Sequence, residues 1–481
     1  VQISFTRVAK AAYVAGARLS NNSWGLTGNA YDISAQEFDS LTRDANPDAP
    51  GNQEMTFVFA AGNNGAGGTI NSPAVAKNVI AVGGSENYRP AGVDGCNLDG
   101  QGPIGPDGAD NAMDILRYSS GGYTADLRAK PDITAPGTHI YGAASRSQSF
   151  FAQGLCPGTP VFQPPGQQFY TWSSGTSMAA PHVTGAGALV RKFFTSRNLL
   201  GDARPPSPAM IKAFLVNSAG YMTGEFAGDT LPSERQGWGL LNLSRAFDEV
   251  QRSLIDQTQR FTESGQAFEL HGSLADRSRP LRITLAWTDA PGSLIAPALV
   301  NDLDLEVKIG DSIVYLGNNF AADISVTEGD RDALNNVESI NIPAAAIPEG
   351  FPGNFTITVR ASNIAGDGVP GNAELLDQDF ALVITNVTAP VPKPPPGQTP
   401  PVISAAEFVK KRLTIAGHDF NAGAQVEING KLIDRAFFFE QASNALSIKL
   451  KAKKLNLKTG QENQIVLIQN GNRSAPFTLL L

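Results

Sequence analysis

Ser177 stands behind Gly-Thr at the mouth of a run of small residues, Gly175-Thr176-Ser177-Met178-Ala179-Ala180-Pro181-His182-Val183-Thr184-Gly185. Ala179, Ala180, Gly185, Ala186, Gly187 and Ala188 would let such a helix bury close to its neighbours. A helix N-terminus offers unpaired N–H groups and a positive dipole end, so an oxyanion forming beside the Ser177 hydroxyl would be stabilised there. Pro181 has no N–H, which leaves the Ser177 carbonyl without its usual helical partner. The chemistry this pattern suggests is nucleophilic attack by a serine. Set against it is a plainer reading, a buried Gly/Ala helix that Ser177 only caps.

The rest of the chain weighs for chemistry. Val58-Phe59-Ala60-Ala61-Gly62-Asn63-Asn64-Gly65 reads as a buried strand ending in a Gly-rich turn. Upstream lies Ser20-Asn21-Asn22-Ser23-Trp24-Gly25; downstream come Ser119-Ser120-Gly121-Gly122, Lys130-Pro131-Asp132-Ile133-Thr134-Ala135-Pro136-Gly137 and Gly237-Trp238-Gly239. Together, in this order, the segments resemble the subtilisin-like serine proteases. The resemblance implies that Ser177 is the nucleophile and that Asn63 is the side-chain donor to the tetrahedral oxyanion. It implies as well that Ser23, Trp24 and Gly25 on one side, and Ala60, Ala61 and Gly62 on the other, wall the primary specificity pocket. Small walls of this kind leave room for a sizeable apolar side chain. Protein or peptide substrates follow, with a serine endopeptidase activity passing through an acyl-enzyme on Ser177.

One part of that machinery is missing from the sequence. The family's order is Asp, His, Ser, and its Asp-Gly loop and His-Gly-Thr-His helix should precede Ser20–Gly25. Only a helical stretch from Phe5 to Ala15 comes before it. The histidines are His139, His182, His271 and His418, and none has the right neighbours. His182 lies five residues past Ser177, about 140° around a helix, and faces elsewhere. With neither triad Asp nor triad His, the 481 residues alone are expected to be inactive. Either the chain is an N-terminally truncated part of a longer protease, or it is a pseudo-protease acting as a secreted binding or adhesion protein.

At 481 residues and a net charge of −8, with abundant Gly and Pro, the chain suits an acidic, loop-rich, secreted multidomain protein, expected to be bacterial. Nothing in it suggests a nucleic-acid partner, and no apolar stretch reaches the roughly 18 residues of a membrane span. The cysteines are Cys96 and Cys156. They lie in Gly/Pro-rich segments, Gly92–Asp110 and Gly154–Gln167, which look like insertions relative to a plain subtilisin-like domain. That placement suggests a loop-to-loop disulfide in an oxidising compartment, against the alternative of two independent thiols.

The expected fold class is multidomain. An incomplete doubly wound α/β parallel sheet over 1–250 is followed by an all-β jelly roll over 251–389. A Pro-rich linker over 390–401 then leads to an all-β, Ig-like unit over 402–481. Period-two alternation marks the first β region, at Leu281, Ile283, Leu285 and Trp287, at Leu303, Leu305 and Val307, and at Phe355, Ile357 and Val359. Ala286–Gly292, Leu299–Leu305 and Asn335-Asn336-Val337-Glu338 resemble the jelly-roll domain of an alkaline subtilase subgroup that binds calcium. Asp302 and Asp304 share one strand face, and Asp330, Asp332 and Asn336 add oxygen donors nearby. They are the expected structural Ca²⁺ ligands, against the plainer reading of a wet sheet face and an acidic loop. The last region is similar to the IPT/TIG fold, on Leu413–Phe420 and Gly423–Gly430. Residues 402–481 carry 11 basic against 6 acidic side chains, +5, and the remainder 26 against 39, −13. A basic tail on an acidic body would favour a substrate or an anionic surface as its partner.

Overall fold

The computed structural model describes every residue except 1–3, 66, 148–155, 157–161, 202–203, 311, 348–354, 393–400, 419, 421–423, 434–437, 442–444 and 470–471. Most of the anticipated linker and much of Gly154–Gln167 therefore lie outside the described residues. The chain divides into two compact units, Val1–Val391 and Pro392–Leu481. The boundary anticipated at 250/251 falls inside the first.

That unit begins with helix α1 (Phe5–Val14), strand β1 (Leu19–Asn22), helix α2 (Ile33–Arg43) and strands β2 (Thr56–Ala60), β3 (Ile80–Ser85) and β4 (Ile133–Pro136). The strands pair in parallel in the order β1-β2-β3-β4. A parallel sheet must be covered on both faces, and the apolar runs of β2 and β3 are buried throughout. Val58 and Ala60 face one core with Ile80 and Val82; Phe57 and Phe59 face the other with Ala9 of α1 and Phe38 and Leu41 of α2. The first core is closed by helices α3 (Thr176–Arg197) and α4 (Pro208–Ser218). Small residues let α3 approach closely: a Cβ on Gly187 would stand 2.7 Å from Leu19 Cδ2. Two further strands, β5 (Ile140–Ala143) and β6 (Tyr170–Ser173), form an antiparallel pair that delivers the chain to α3.

After the short helix α5 (Leu243–Ala246) come strands β7 (Arg252–Phe261), β8 (Ala267–Leu274), β9 (Leu281–Ala286), β10 (Asp302–Ile309) and β11 (Ile313–Leu316). The minor strands β12 (Phe320–Ala321) and β13 (Ile324–Ser325) precede β14 (Val337–Ile342), β15 (Phe355–Asn363), β16 (Gln378–Thr385) and β17 (Val387–Pro392). They form two antiparallel sheets, β11-β10-β15-β8-β17 and β14-β9-β16-β7. Leu281, Ile283, Leu285, Leu303, Leu305, Ile357, Val359 and Phe380 share the core between them. The outer face of the second sheet is covered too: Ala286, Val337, Ala381 and Val383 join the core of α3 and α4. Helix α4 is consequently buried on every side, and a helix that lies between two sheets has no polar face. This shared core makes residues 1–391 one unit.

Buried polar links reinforce the seam. Lys77 Nζ lies 2.6 Å from Asp289 Oδ2 and donates to the carbonyls of Ala290 and Ala298. Arg43 grips Asp379, with Nη2–Oδ1 at 2.6 Å and Nη1–Oδ2 at 3.0 Å.

The second unit holds strands β18 (Val402–Val409), β19 (Arg412–His418), β20 (Gln425–Ile428), β21 (Lys431–Ile433), β22 (Phe438–Gln441), β23 (Ala445–Lys449), β24 (Glu462–Gln469), β25 (Asn472–Arg473) and β26 (Phe477–Leu480). One sheet runs β18-β19-β23-β22; the other contains β21-β20-β24-β25 with β26 also on β24. Leu413, Ile415, Val426, Ile428, Leu446, Ile448, Ile465 and Leu467 form their common core.

Candidate active site around Ser177

Four helices of the first unit are capped by side chains. Ser4 accepts from the Arg7 N–H, Asp32 from Ala35, Ser207 from Met210 and Asn242 from Arg245. Helix α3 is different: its N-cap is Gly175, with no side-chain cap. The Thr176 N–H is taken by Asn63 Oδ1 at 2.9 Å and the Met178 N–H by the Gly175 carbonyl at 2.9 Å. The Ser177 N–H is left without a partner among the described residues. It is a free donor beside the half-buried Ser177 hydroxyl.

The second donor is set up by Thr176. Asn63 Oδ1 accepts from the Thr176 N–H, and the Thr176 hydroxyl lies 3.0 Å from both Asn63 Oδ1 and the Gly62 carbonyl. With its oxygen held there, the Asn63 amide turns its NH₂ the other way, and that nitrogen makes no hydrogen bond among the described residues. Gly62 turns at φ +116°, and a Cβ there would meet Asn71 Nδ2 at 2.7 Å and Ser120 Oγ at 2.8 Å, so the turn that presents Asn63 requires glycine. Sequence reasoning missed Thr176. The only signal for it was its place between the glycine and the serine.

The carbonyl orphaned by Pro181 has a partner after all: Ser23 Oγ donates to the Ser177 carbonyl at 2.7 Å. In return Ser177 Oγ donates to the Ser23 carbonyl at 3.3 Å. No imidazole takes part among the described residues. His139 is fully buried, with its ring nitrogens on the carbonyls of Arg89 and Ile104 and its ring stacked 4.3 Å from Trp172. His182 is exposed and contacts the Met178 carbonyl through Nδ1 at 2.9 Å. His271 is exposed on β8 beside Thr356 Oγ1, and the side chain of His418, on β19, lies outside the described residues.

The pocket walls come together around a residue that the sequence did not single out. A Cβ built on Gly25 would meet Asn71 Cβ at 2.9 Å, and one on Gly62 would meet Asn71 Nδ2. The Asn71 side chain thus stands between the two walls, held by its N–H on the Ala61 carbonyl and by Asn64 Nδ2 on its Oδ1. Ala60 and Ala61 are buried behind it. The Trp24 indole is turned into an aromatic cluster with Phe5, Phe38 and Phe59 and leaves the wall to its backbone. Behind the nucleophile, a disulfide joins Cys96 to Cys156. Cys96 Sγ also accepts from the Ser174 N–H at 3.4 Å, which ties the bridge to the strand entering α3.

The five expected metal ligands differ in how far protein partners already engage them. Asp332 is satisfied by the N–H groups of Leu334 and Asn335 and by the Asn318 and Asn335 amides. Asp330 is exposed, and Asn336 donates its amide to Asn78 and to the Trp287 carbonyl at the seam. Asp302 and Asp304 each keep a buried oxygen without a partner, and so does Glu338. Burial pushes Asp302 up to about 7, with Asp304 and Asp332 adding to it, and holds Glu338 well above the usual carboxylate range. Arg331 partly offsets this crowding, 3.3 Å from Asp304. Among the described residues, the trio whose carboxylate oxygens lie within 4.8 Å of one another is a different one, Glu86, Asp110 and Asp114. No described helix is long and apolar enough to cross a membrane.

Comparison with known proteins agrees with this geometry. Residues 3–239 match Peptidase_S8, the subtilase family. The serine protease/ABC transporter B family protein tagA of Dictyostelium discoideum is 28% identical over 265 residues, 51% of this chain and 14% of that protein. Pyrolysin of Pyrococcus furiosus is 29% identical over 235 residues, 47% of this chain and 15% of that protein. The serine protease AprX of Bacillus subtilis is 31% identical over 169 residues, 35% of this chain and 32% of that protein. The chain therefore spans less than a third of the length of these relatives. Residues 3–239 are a subtilase-family domain with a subtilisin-like fold, and a largely β region follows them.

Proposed function

We propose that this chain carries the nucleophile half of a secreted serine endopeptidase that cleaves proteins through an acyl-enzyme on Ser177. The observation that carries the reading is the pair of unpaired donors at the start of α3, the Ser177 N–H and the Asn63 amide, whose oxygen is held by the adjacent Thr176. Ser177 Oγ attacks the scissile carbonyl and gives up its proton to a histidine; the two donors bind the oxyanion; collapse expels the amine, which takes that proton. None of His139, His182 and His271 can serve, so the base and its aspartate are assigned to a segment of the same polypeptide upstream of Val1. The test is hydrolysis of casein by the 481-residue chain and by the chain extended with its encoded upstream sequence. The extended form is expected to cleave, with all activity lost in Ser177→Ala, and the 481 residues alone to be inert. An extended form that binds denatured protein but never cleaves it would favour the second reading, a pseudo-protease acting as a binding or adhesion protein, to which the missing imidazole lends support.

The reading extends to the β regions. The two-sheet sandwich after Val250 is taken as a jelly roll, and Val402–Leu481 as an IPT/TIG-like unit whose excess of basic side chains suits substrate or an anionic surface. For calcium, the bare buried oxygens of Asp302, Asp304 and Glu338 support a smaller ligand set than the sequence suggested. Calcium at 1 mM (about that level) is expected to raise the melting temperature at pH 8 relative to chelator, and Asp304→Asn to remove most of the rise. Equal midpoints with calcium and with chelator would retire the ion.

Asn71 refines the expected specificity. Its amide fills space between the glycine walls, so the pocket favours smaller or polar side chains over the bulky apolar ones that the walls alone suggested. In the extended enzyme, Asn71→Gly is expected to raise kcat/KM for phenylalanine against alanine at the cleaved position by about tenfold, in the range of one or two buried methylenes. An unchanged ratio would place Asn71 outside the pocket.

A further inference from the structure

A cleft of about 190 Å³ opens where the end of α4, helix α5 and the second sheet of the sandwich meet. It shares no residue with the Ser177 site. Arg245 from α5, Arg252 from β7, Arg279 from the turn before β9 and Arg282 from β9 line it, and the lining holds a single carboxylate, Asp248.

That carboxylate is already taken. Arg252 Nη2 donates to Asp248 Oδ1 at 2.6 Å and to the Arg245 carbonyl at 2.5 Å, while its Nη1 donates to the carbonyls of Asp248 and Val250. Arg279 Nη1 stands 3.9 Å from Asp248 Oδ2, and its Nε lies 3.4 Å from Asp276. Arg245 uses Nη1 on the Ala219 carbonyl at 2.9 Å.

Arg282 has nothing. Its side chain makes no hydrogen bond or ion pair among the described residues, and its Nε is buried without a partner. Burial, and then the Arg245 charge, draw this guanidinium down to about 10, while Asp323 and Asp248 act in the opposite sense. Arg282 is half-buried, and its Nε–H has given up water and received no acceptor in exchange, which is costly. The charge that the cleft lacks is negative, and the group that best matches several convergent arginines is a compact oxyanion able to accept paired N–H bonds.

We propose that this cleft binds a phosphate-type tetrahedral oxyanion, held by Arg282 with Arg245 and Arg279. The ion would join α5 to strand β9 and the turn before it, and so brace the α/β part of the unit against the sandwich. It would act on stability without touching the Ser177 chemistry. The shared chemistry is the dianionic phosphoryl group, whether free or carried as a monoester on a small molecule.

The test is calorimetric titration of the full 481-residue chain with inorganic phosphate and, separately, with O-phosphoserine, at ionic strength held constant with sodium chloride. Melting is followed under the same conditions. Saturable binding and a saturable rise in melting temperature are expected, both weakened by about tenfold or more in Arg282→Gln. Arg245 is exposed, so Arg245→Gln tests the same site without disturbing the core, and it is expected to weaken binding in the same direction. Tighter binding of O-phosphoserine assigns the site to an organic phosphate; equal or weaker binding assigns it to the free ion. No measurable heat with either probe would overturn the proposal. So would a melting rise that grows linearly with phosphate and is the same in both variants, since exclusion of salt from the surface has that signature.

Discussion

Asn63→Ala in the extended enzyme is expected to lower kcat by about 10²–10³, roughly 3–4 kcal/mol, with little change in KM. The split follows from when the amide acts. The planar carbonyl of a bound peptide has not yet developed the charge that the free Asn63 NH₂ is placed to meet, so the hydrogen bond strengthens in the transition state. Ser177→Ala should cost about 10⁶ in kcat, because the covalent route is lost altogether. Thr176→Val separates orientation from donation. It keeps the Thr176 N–H on Asn63 Oδ1 and removes only the hydroxyl, so a loss of about fivefold is expected, near the net value of one hydrogen bond. Equal losses of kcat in Asn63→Ala and Thr176→Val, with KM raised in both, would mean that Asn63 shapes the loop and does not donate to the oxyanion.

Asp132→Asn should destabilise the first unit by about 3–5 kcal/mol in urea titration. The Asp132 carboxylate is buried and takes Lys130 Nζ at 2.7 Å, Lys212 Nζ at 2.8 Å and the Ala81 N–H at 2.7 Å. Replacing it removes the counter-charge of Lys212 and, below about pH 7, that of Lys130 as well, inside the core under the β3–β4 pair. Lys212 retains the carbonyls of Lys77 and Val79, whereas Lys130 has no other partner among the described residues. Adding Lys130→Met to Asp132→Asn is therefore expected to recover part of the loss.

Lys130 also sets a pH dependence. Burial, helped by Lys212 and only partly opposed by Asp132, draws it from 10.5 to about 7. Between those values the unfolded chain holds a proton that the folded chain has released. Stability should then rise with pH above about 7, by up to about 1.4 kcal/mol per pH unit from this group, and the contribution should level off near 10.5. Below about 7 both states are protonated and the group adds no slope. Lys130→Met is expected to flatten the rise; a parent protein equally stable at pH 7 and pH 9 would remove the argument.

Much of this site was written in the order of residues. Gly175-Thr176-Ser177, the Ala60–Asn63 turn and the absence of a suitably placed histidine are local facts, because capping, turn geometry and side-chain chemistry act over a few positions. Strand alternation after Val250 was legible for the same reason: the pleat repeats every second residue whatever the strand packs against. The sequence could not show that β16 is buried on both faces. Its alternation describes one face, and α4 from another part of the chain covers the second.

Partners distant in sequence were settled by tertiary structure alone. Pro181 announced an orphaned carbonyl on Ser177, but the hydroxyl that satisfies it belongs to Ser23, 154 residues away. Asn71 entered the pocket because two glycines without side chains leave space that only a third segment could fill. Folding decided which oxygen donors of the acidic cluster stay open: Asp332 and Asn336 found amide and carbonyl partners, while Glu338, from a facing strand, stands beside Asp302 and Asp304 with an oxygen unpaired. Spacing along a chain records which face a side chain occupies. Which group stands opposite depends on how sheets and helices stack, and that is determined by burying apolar area over the whole unit at once.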